Sequence, residues 1–165
     1  MNFMTQTHRI KRCLASAGLI AALMLSTGCG LTEVVVVVDG PDMVVRNATS
    51  LQMQVLDSAG GTVFDETQSV SALGTNAFPV TLSLSPGGAE DAGFTVLVRM
   101  TDAMGEIRSA RTTTFVSGKS VRLDIPLFPA CRGVMCSVGQ TCTSSGGCGS
   151  ASVDAATLED WTGSP

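Results

Sequence analysis

The stretch Phe94–Met100 reads FTVLVRM, and it decides the fold class. Side chains at every second position of a strand point to the same face of a sheet. In this stretch those positions hold large apolar residues, namely Phe94, Val96, Val98 and Met100. The pattern therefore predicts a β-strand with one face in a hydrophobic core and the other face directed outward.

The same alternation recurs along the chain. It is clear in Leu51–Val55, Val80–Leu84 and Val121–Ile125, and it is weaker near Thr62–Glu66 and Ile107–Phe115. Glycine-rich breaks separate these segments, and glycine favours turns because it adopts backbone conformations that other residues avoid. No segment shows a convincing helical period, so the sequence predicts strands throughout this region.

A run of five valines opens the region, within Glu33–Asp39. β-Branched side chains favour strands, and a continuous run indicates a strand that is covered on both faces or one at a domain entry. Together with the alternating segments it makes about seven short strands. We therefore predict an all-β fold. Residues 33–128 form an antiparallel β-sandwich of immunoglobulin-like or fibronectin III-like architecture, and a small disulfide-rich tail follows it.

Residues 1–28 have the features of an export signal. Arg9, Lys11 and Arg12 precede a run of twelve apolar or small residues, Leu14–Leu25. A helix needs about 20 apolar residues to span a membrane, so this run is too short for a stable span. A basic start followed by a short apolar run is typical of a secretory signal peptide.

The next residues, Ser26–Cys29 (STGC), resemble the bacterial lipobox. The resemblance implies that a diacylglycerol is attached to the Cys29 thiol, that a peptidase cuts before Cys29, and that the new amine is acylated. Residues 29–32 are then a lipidated N-terminus, and several acyl chains anchor firmly. Ser26 departs from the lipobox pattern, in which leucine is commonest three positions before the cysteine. The alternative interpretation is an ordinary secretory signal that is cut elsewhere. Gly30, rather than aspartate, follows the cysteine, which favours the outer membrane by the rule known in enteric bacteria.

The charge of the exported part limits its partners. If cleavage precedes Cys29, seven basic and fourteen acidic residues remain, and the side-chain balance is −7. An acidic surface repels phosphate backbones and anionic lipid headgroups. We therefore expect no nucleic-acid partner, and we expect any attachment to a membrane to be covalent, through the lipid on Cys29.

Four cysteines fall close together in residues 129–150, at Cys131, Cys136, Cys142 and Cys148. Their spacing lacks the short cysteine pairs of structural zinc sites, and export brings them to an oxidising compartment. We therefore predict two disulfides. Four cysteines allow three pairings, of which we favour Cys131–Cys142 with Cys136–Cys148, the interleaved pattern of small growth-factor-like modules.

The remaining residues, 151–165, form a tail that is small and polar apart from Leu158 and Trp161. A large aromatic ring beside a leucine is costly to leave in water. We therefore expect Trp161 to dock on the sandwich.

The sequence after Cys29 lacks the residues of common catalytic sites. It contains no histidine, which excludes Ser-His-Asp and Cys-His catalysis and removes the commonest metal ligand. Its neighbouring carboxylates are interpreted as solvated surface rather than as glycosidase or calcium sites; they are Glu90-Asp91, Glu159-Asp160, Asp39 and Asp42. We therefore predict a protein that is not an enzyme and that binds no cofactor and no metal.

Three segments resemble a group of predicted lipoproteins that is abundant in myxobacteria. They are TEVVVVVD at Thr32–Asp39, the late-sandwich segment that ends at Phe128, and a tail that contains ACRGVMCSVGQTCTSSGGC and VDAATLEDWTG. The tail, from Cys131 to Gly163, is the most specific part. The resemblance implies a lipoprotein with a β-sandwich body and a four-cysteine module, and the group has no assigned activity to carry over.

Two functions fit a tethered domain without catalytic residues. We favour a structural or protein-interaction module at the cell envelope. The alternative is a small-ligand or glycan-binding module that uses a loop at the edge of the sandwich. Sugar binding by stacking needs exposed aromatic rings, and the chain after Cys29 holds only five Phe and one Trp. The sequence therefore favours the first function over the second.

Overall fold

Seven strands follow one another along the chain before the cysteine module, and they build the predicted sandwich. The computed structural model describes residues 31–70, 77–87 and 92–163. The regular elements of this part are β1 (Glu33–Asp39), α1 (Asp42–Val45), β2 (Ala48–Asp57), β3 (Thr62–Ser69), β4 (Val80–Leu84), β5 (Gly93–Asp102), β6 (Gly105–Thr114), β7 (Ser120–Pro126), β8 (Gln140–Cys142), β9 (Cys148–Ser150), β10 (Glu159–Asp160), and two 3₁₀ turns at Pro129–Cys131 and Ala155–Thr157.

The valine strand β1 lies in the interior of the first sheet, whose strand order is β10-β7-β1-β4. It pairs antiparallel with β4, where Val36 faces Leu82, and parallel with β7, where Val36 faces Leu123. Val34–Val38 are all buried, with exposed fractions of at most 3%. The continuous apolar run therefore marks a strand that is covered on both faces, which is one of the two interpretations that the sequence allows.

The pairing of β1 with β7 is parallel, and the other strand pairs among the described residues are antiparallel. The predicted antiparallel sandwich is confirmed, with this one exception. The alternation of side chains identifies a strand and its buried face, but both directions of pairing preserve that alternation. The sequence pattern therefore carries no information about the direction of the neighbouring strand.

The second sheet has the order β3-β2-β5-β6, and aspartate side chains set its two hairpin turns. Asp57 accepts hydrogen bonds from the backbone N–H groups of Ala59 (2.9 Å) and Gly61 (2.8 Å). Asp102 accepts one from the N–H of Met104 (2.8 Å). Aspartate commonly stabilises turns through such bonds. These turns fix the register that directs alternate residues of the hairpins to the core.

The core lies between the two sheets and takes the residues that the alternation predicted. Burying one such side chain fully contributes about 1.5–3 kcal/mol. The largest fully buried members of the core come from both sheets, from α1 and from the segment after β7: Val34, Val36, Val38, Val44, Val96, Val98, Met100, Ile107, Leu123, Ile125 and Leu127.

A single helical turn, α1, occupies Asp42–Val45, in a region for which the sequence predicts strands and no helix. Pro41 precedes it with a φ of −59°, and its carbonyl accepts a hydrogen bond from the N–H of Val44 at 2.7 Å. The turn places Val44 in the core. Four residues are too few for a helical period to be visible in the sequence.

The chain after the cysteine module covers the outer edge of β6. The N–H of Thr112 donates to the carbonyl of Ala151 (2.9 Å), and its carbonyl accepts from the N–H of Val153 (2.8 Å). An uncovered edge strand exposes unpaired backbone groups that invite association with other chains. The tail therefore protects this edge of the second sheet.

The end of the tail pairs with the first sheet. Strand β10 is antiparallel to β7, and the N–H of Trp161 donates to the carbonyl of Ser120 at 2.8 Å. Leu158 packs against the core, and the side chain of Trp161 is half-buried. The tail therefore contacts the first sheet through backbone pairing and through Leu158.

Within residues 31–70, 77–87 and 92–163, no helix is long and apolar enough to cross a membrane. The predicted signal peptide, residues 1–28, and the predicted lipidation site, Cys29, lie outside the described residues.

Candidate functional site

The outer face of the second sheet is the floor of a groove. Residues that lie directly opposite each other in neighbouring strands point to the same face. The register of β2, β5 and β6 therefore aligns outward side chains in three rows across the sheet: Leu56 with Thr95 and Thr112, Gln54 with Leu97 and Ala110, and Gln52 with Arg99 and Arg108.

A wall, defined as residues 134–142 of the cysteine module, forms one side of the groove. The wall contacts β6, where the N–H of Ala110 donates to Thr141 Oγ1 at 3.0 Å. Met135 and Val138 are strongly exposed apolar side chains of the wall, with exposed fractions of 74% and 105%. Exposed apolar side chains beside a groove are typical of a binding surface.

Two disulfides hold the wall, Cys131–Cys142 and Cys136–Cys148, and they have the interleaved pairing that the sequence favours. Cys131 and Cys142 are 1% and 4% exposed and belong to the core cluster. The first bridge therefore attaches the wall to the sandwich. The second bridge ties the middle of the wall to β9. Bridges of this span each contribute about 3 kcal/mol by the chain-entropy estimate.

A buried ion pair joins the chain before the wall to the β5–β6 turn. The Asp102 carboxylate has 0% exposure, and it accepts a hydrogen bond from Nη2 of Arg132, whose side chain is 20% exposed. This hydrogen bond is the main reason that the pKa of Asp102 lies below its usual value, although burial acts in the opposite direction. Asp102 is therefore ionised at neutral pH. The pair fixes the point at which the chain leaves the sandwich to form the wall.

Floor and wall together form a groove of about 500 Å³. Ligand pockets of proteins commonly fall between about 300 and 1,000 Å³ and combine an apolar lining with a few polar groups. Here Leu97, Val134 and Val138 line the apolar part, and the described lining residues include no aromatic ring. The size suits a small ligand or a short peptide segment. The lining offers no ring on which a sugar could stack.

Two arginines lie side by side at one end of the groove. Arg99 and Arg108 are directly opposite each other in β5 and β6. They share one carboxylate, because Arg99 Nε lies 3.3 Å from Oε2 of Glu106 and Arg108 Nε contacts Oε1 of the same residue. Their side chains remain 48% and 41% exposed. The ion pairs at this end therefore join two arginines to one carboxylate. The next carboxylate on this face, Asp65, accepts a hydrogen bond from the side chain of Gln52 at 2.8 Å.

Comparisons with protein-family models, with curated proteins and with solved structures found no match. The function of this chain is therefore inferred from the groove and from the sequence.

Three of the carboxylates interpreted as solvated surface have local partners. Asp39 accepts a hydrogen bond from the N–H of Gly40 at 2.7 Å, and Asp42 pairs with Arg46 at 2.7 Å. Asp160 lies 3.9 Å from Lys119. In the part of the chain that the structure describes, no three His, Cys, Asp or Glu side chains are grouped so that they could hold a metal ion. Glu90-Asp91 lie outside that part.

The groove itself was not predicted from the sequence. One signal was visible: Leu97 is a large apolar residue at an outward position of β5, between Thr95 and Arg99. An outward leucine on a strand indicates that something covers or contacts that face. The wall could not be predicted, because the spacing of cysteines gives their possible pairings but not the side of the sandwich on which the loop folds.

Proposed function

We propose that this chain is a membrane-anchored lipoprotein of the cell envelope whose body binds another protein through the groove. The observation that carries the proposal is the groove itself, with a wall held by two disulfides and with exposed apolar side chains. A wall that is fixed before binding loses little conformational entropy when a partner docks. We further propose that the protein belongs with the myxobacterial-type lipoproteins that it resembles, and that it is not an enzyme.

The proposed anchor supports a defined orientation. Cys29 precedes the first residue of β1, Glu33, by four positions, and four residues span at most about 14 Å. The end of the sandwich that holds the start of β1 would then lie close to the bilayer. The chain reverses direction between β1 and β2 across α1, so Asp57 lies at this same end, and the arginine end of the groove lies away from it.

The lipid anchor is tested by changing Cys29→Ser in the full chain and labelling cells with radioactive palmitate. We expect the label in the wild type to disappear in the variant, because acylation needs the thiol. Separation of inner and outer membranes should place the wild type in the outer membrane. Equal labelling of the two proteins would reject the lipoprotein proposal.

The binding function is tested with the full-length protein as bait in detergent-solubilised membranes. Val138→Asp places a charge on the wall, whereas Val63→Asp places one at an apolar position of β3 that is also exposed (63%). We expect a specific protein to be captured by the wild type and by Val63→Asp, and to be lost with Val138→Asp. Equal capture by all three proteins would reject the groove as the binding surface.

The alternative is a small-ligand or glycan-binding module, and the groove volume of about 500 Å³ supports a small ligand. A glycan array separates the glycan form of this alternative from the main proposal. Binding to glycans without capture of any protein would favour the alternative. Retention of a protein partner by the wild type and by Val63→Asp, but not by Val138→Asp, would favour the main proposal.

A further inference from the structure

The arginine end of the groove contrasts in charge with the rest of the molecule. The chain after Cys29 has seven basic and fourteen acidic residues, yet two of those seven basic residues stand side by side at this end. Charge complementarity selects binding partners and speeds their association. The chemistry that the groove selects, which rests on the proposed binding function, follows from this contrast in charge.

Glu106 does not neutralise the two arginines. A carboxylate carries one negative charge, and its two oxygens contact Nε of Arg99 and Nε of Arg108. Each guanidinium group has five N–H donors, so the terminal nitrogens of both can donate to a ligand. A carboxylate of the ligand would complete two pairs of charges at this end. Hydrogen bonds between guanidinium and carboxylate groups are among the stronger ones in proteins.

Two side chains of the next row of the floor are apolar, and the third is that of Gln54. Leu97 and Ala110 lie two residues from Arg99 and Arg108 along their strands, a spacing of about 6.6–6.8 Å. Met135 and Val138 of the wall also line the groove. An extended peptide that lies along the strands has the same spacing between side chains on one side. A carboxylate at one residue and an apolar side chain two residues away would therefore match successive rows.

We propose that the groove binds an extended segment of a partner protein in which an acidic residue and an apolar residue are separated by one position. The carboxylate docks on Arg99 and Arg108. The apolar side chain contacts Leu97 and Ala110 on the floor, beside the exposed side chain of Val138 on the wall.

The test uses the full-length protein in detergent micelles and three fluorescent heptapeptides, with binding measured by anisotropy. The first is Gly-Leu-Ser-Glu-Ser-Leu-Gly, which presents the pattern in both directions, and the other two replace Glu with Gln or with Lys. We expect the Glu peptide to bind about tenfold more tightly than the Gln peptide, as one charge-assisted contact allows, and the Lys peptide to bind more weakly still.

Variants assign this preference to named residues. The double change Arg99→Gln with Arg108→Gln should bring the ratio of Glu-peptide to Gln-peptide affinity to about one, because the charges that distinguish the two peptides are gone. The matched control Arg46→Gln removes an exposed arginine that is far from Arg99 and Arg108 in the sequence, and it should leave this affinity ratio unchanged. Glu106→Gln should raise the affinity for the Glu peptide, since it removes the competing carboxylate. Thermal unfolding of each variant checks that it is folded.

The outcomes separate this inference from the proposed function. The three peptides could bind the wild type with equal affinity and fail to bind Val138→Asp. This result would overturn the acidic motif while leaving the groove as the binding surface. Binding of none of the peptides would also overturn the motif, and capture of a protein partner by the wild type but not by Val138→Asp would still support the groove. If the Glu peptide still binds more tightly than the Gln peptide after both arginines are changed, Arg99 and Arg108 are not the residues that recognise the carboxylate.

Discussion

The sandwich and the wall of the groove are held in place by different forces. In the sandwich, large side chains such as Leu123 and Met100 are at most 1% exposed, and the hydrophobic effect supplies the stability. In the wall, Met135 and Val138 are 74% and 105% exposed, so these two side chains contribute little by burial. Disulfides, a buried ion pair and the contact of Cys142 with the core hold the wall in place. The proposed binding surface can therefore expose apolar side chains without depending on their burial.

The largest effect on stability should come from a cavity in the sandwich. Leu123→Ala removes a side chain that is 1% exposed, and such a change costs about 4 kcal/mol of unfolding free energy. The exposed control Val63→Ala should change it by less than about 0.5 kcal/mol. Urea unfolding of both variants measures the difference. A small effect of Leu123→Ala would mean that the core is not packed as described.

Removal of the second disulfide should affect the wall more than the sandwich. Cys136→Ser with Cys148→Ser removes a bridge with a sequence separation of 12, which contributes about 3 kcal/mol. Hydrogen exchange should become faster in residues 134–150 and stay slow in β1 and β7. The single change Ser137→Ala, in the same loop, should leave exchange as in the wild type. Equal acceleration across both sheets would show that sandwich and wall form one cooperative unit.

The ion pair should make a smaller contribution, and one that depends on pH. Asp102→Asn breaks the pair with Arg132. Leaving a fully buried ion without its partner costs about 3–5 kcal/mol. Because Arg132 keeps some access to water, we expect the unfolding free energy to fall by a smaller amount, about 2 kcal/mol. The pKa of Asp102 is lowered in the folded protein. Its contribution is therefore fully present above its ordinary pKa of about 3.9 and is lost as the pH falls through the lower folded value.

Urea unfolding between pH 7 and pH 2 tests this dependence. The difference in unfolding free energy between the wild type and Asp102→Asn should be constant above about pH 5 and should shrink below about pH 4. A difference that grows as the pH falls would contradict the assignment of the pair.

The sequence predicts the sandwich well because alternating apolar and polar residues identify the buried face and the outer face of each strand. Phe94 to Met100 and Val121 to Ile125 show which side chains enter the core. The parallel pairing of β1 with β7 leaves no trace in that alternation. The one-turn helix α1 is too short to produce a period.

The groove is harder to predict because it depends on contacts between distant segments. Ala110 and Thr141 are 31 residues apart in sequence, and Asp102 and Arg132 are 30 apart. No local pattern indicates that these residues meet. The pairing of the cysteines could be favoured from the sequence because it involves a small number of alternatives.

The most direct test of the account is site-specific photo-crosslinking in living cells. A photoreactive amino acid replaces Val138 of the wall in one full-length protein and the similarly apolar, exposed Val63 of β3 in another. We expect a protein adduct at position 138 that is weak or missing at position 63, and that is lost when Cys136 and Cys148 are both changed to serine. Equal adducts at both positions, or an adduct at 138 that persists without the disulfide, would contradict a groove whose wall must be fixed before it binds.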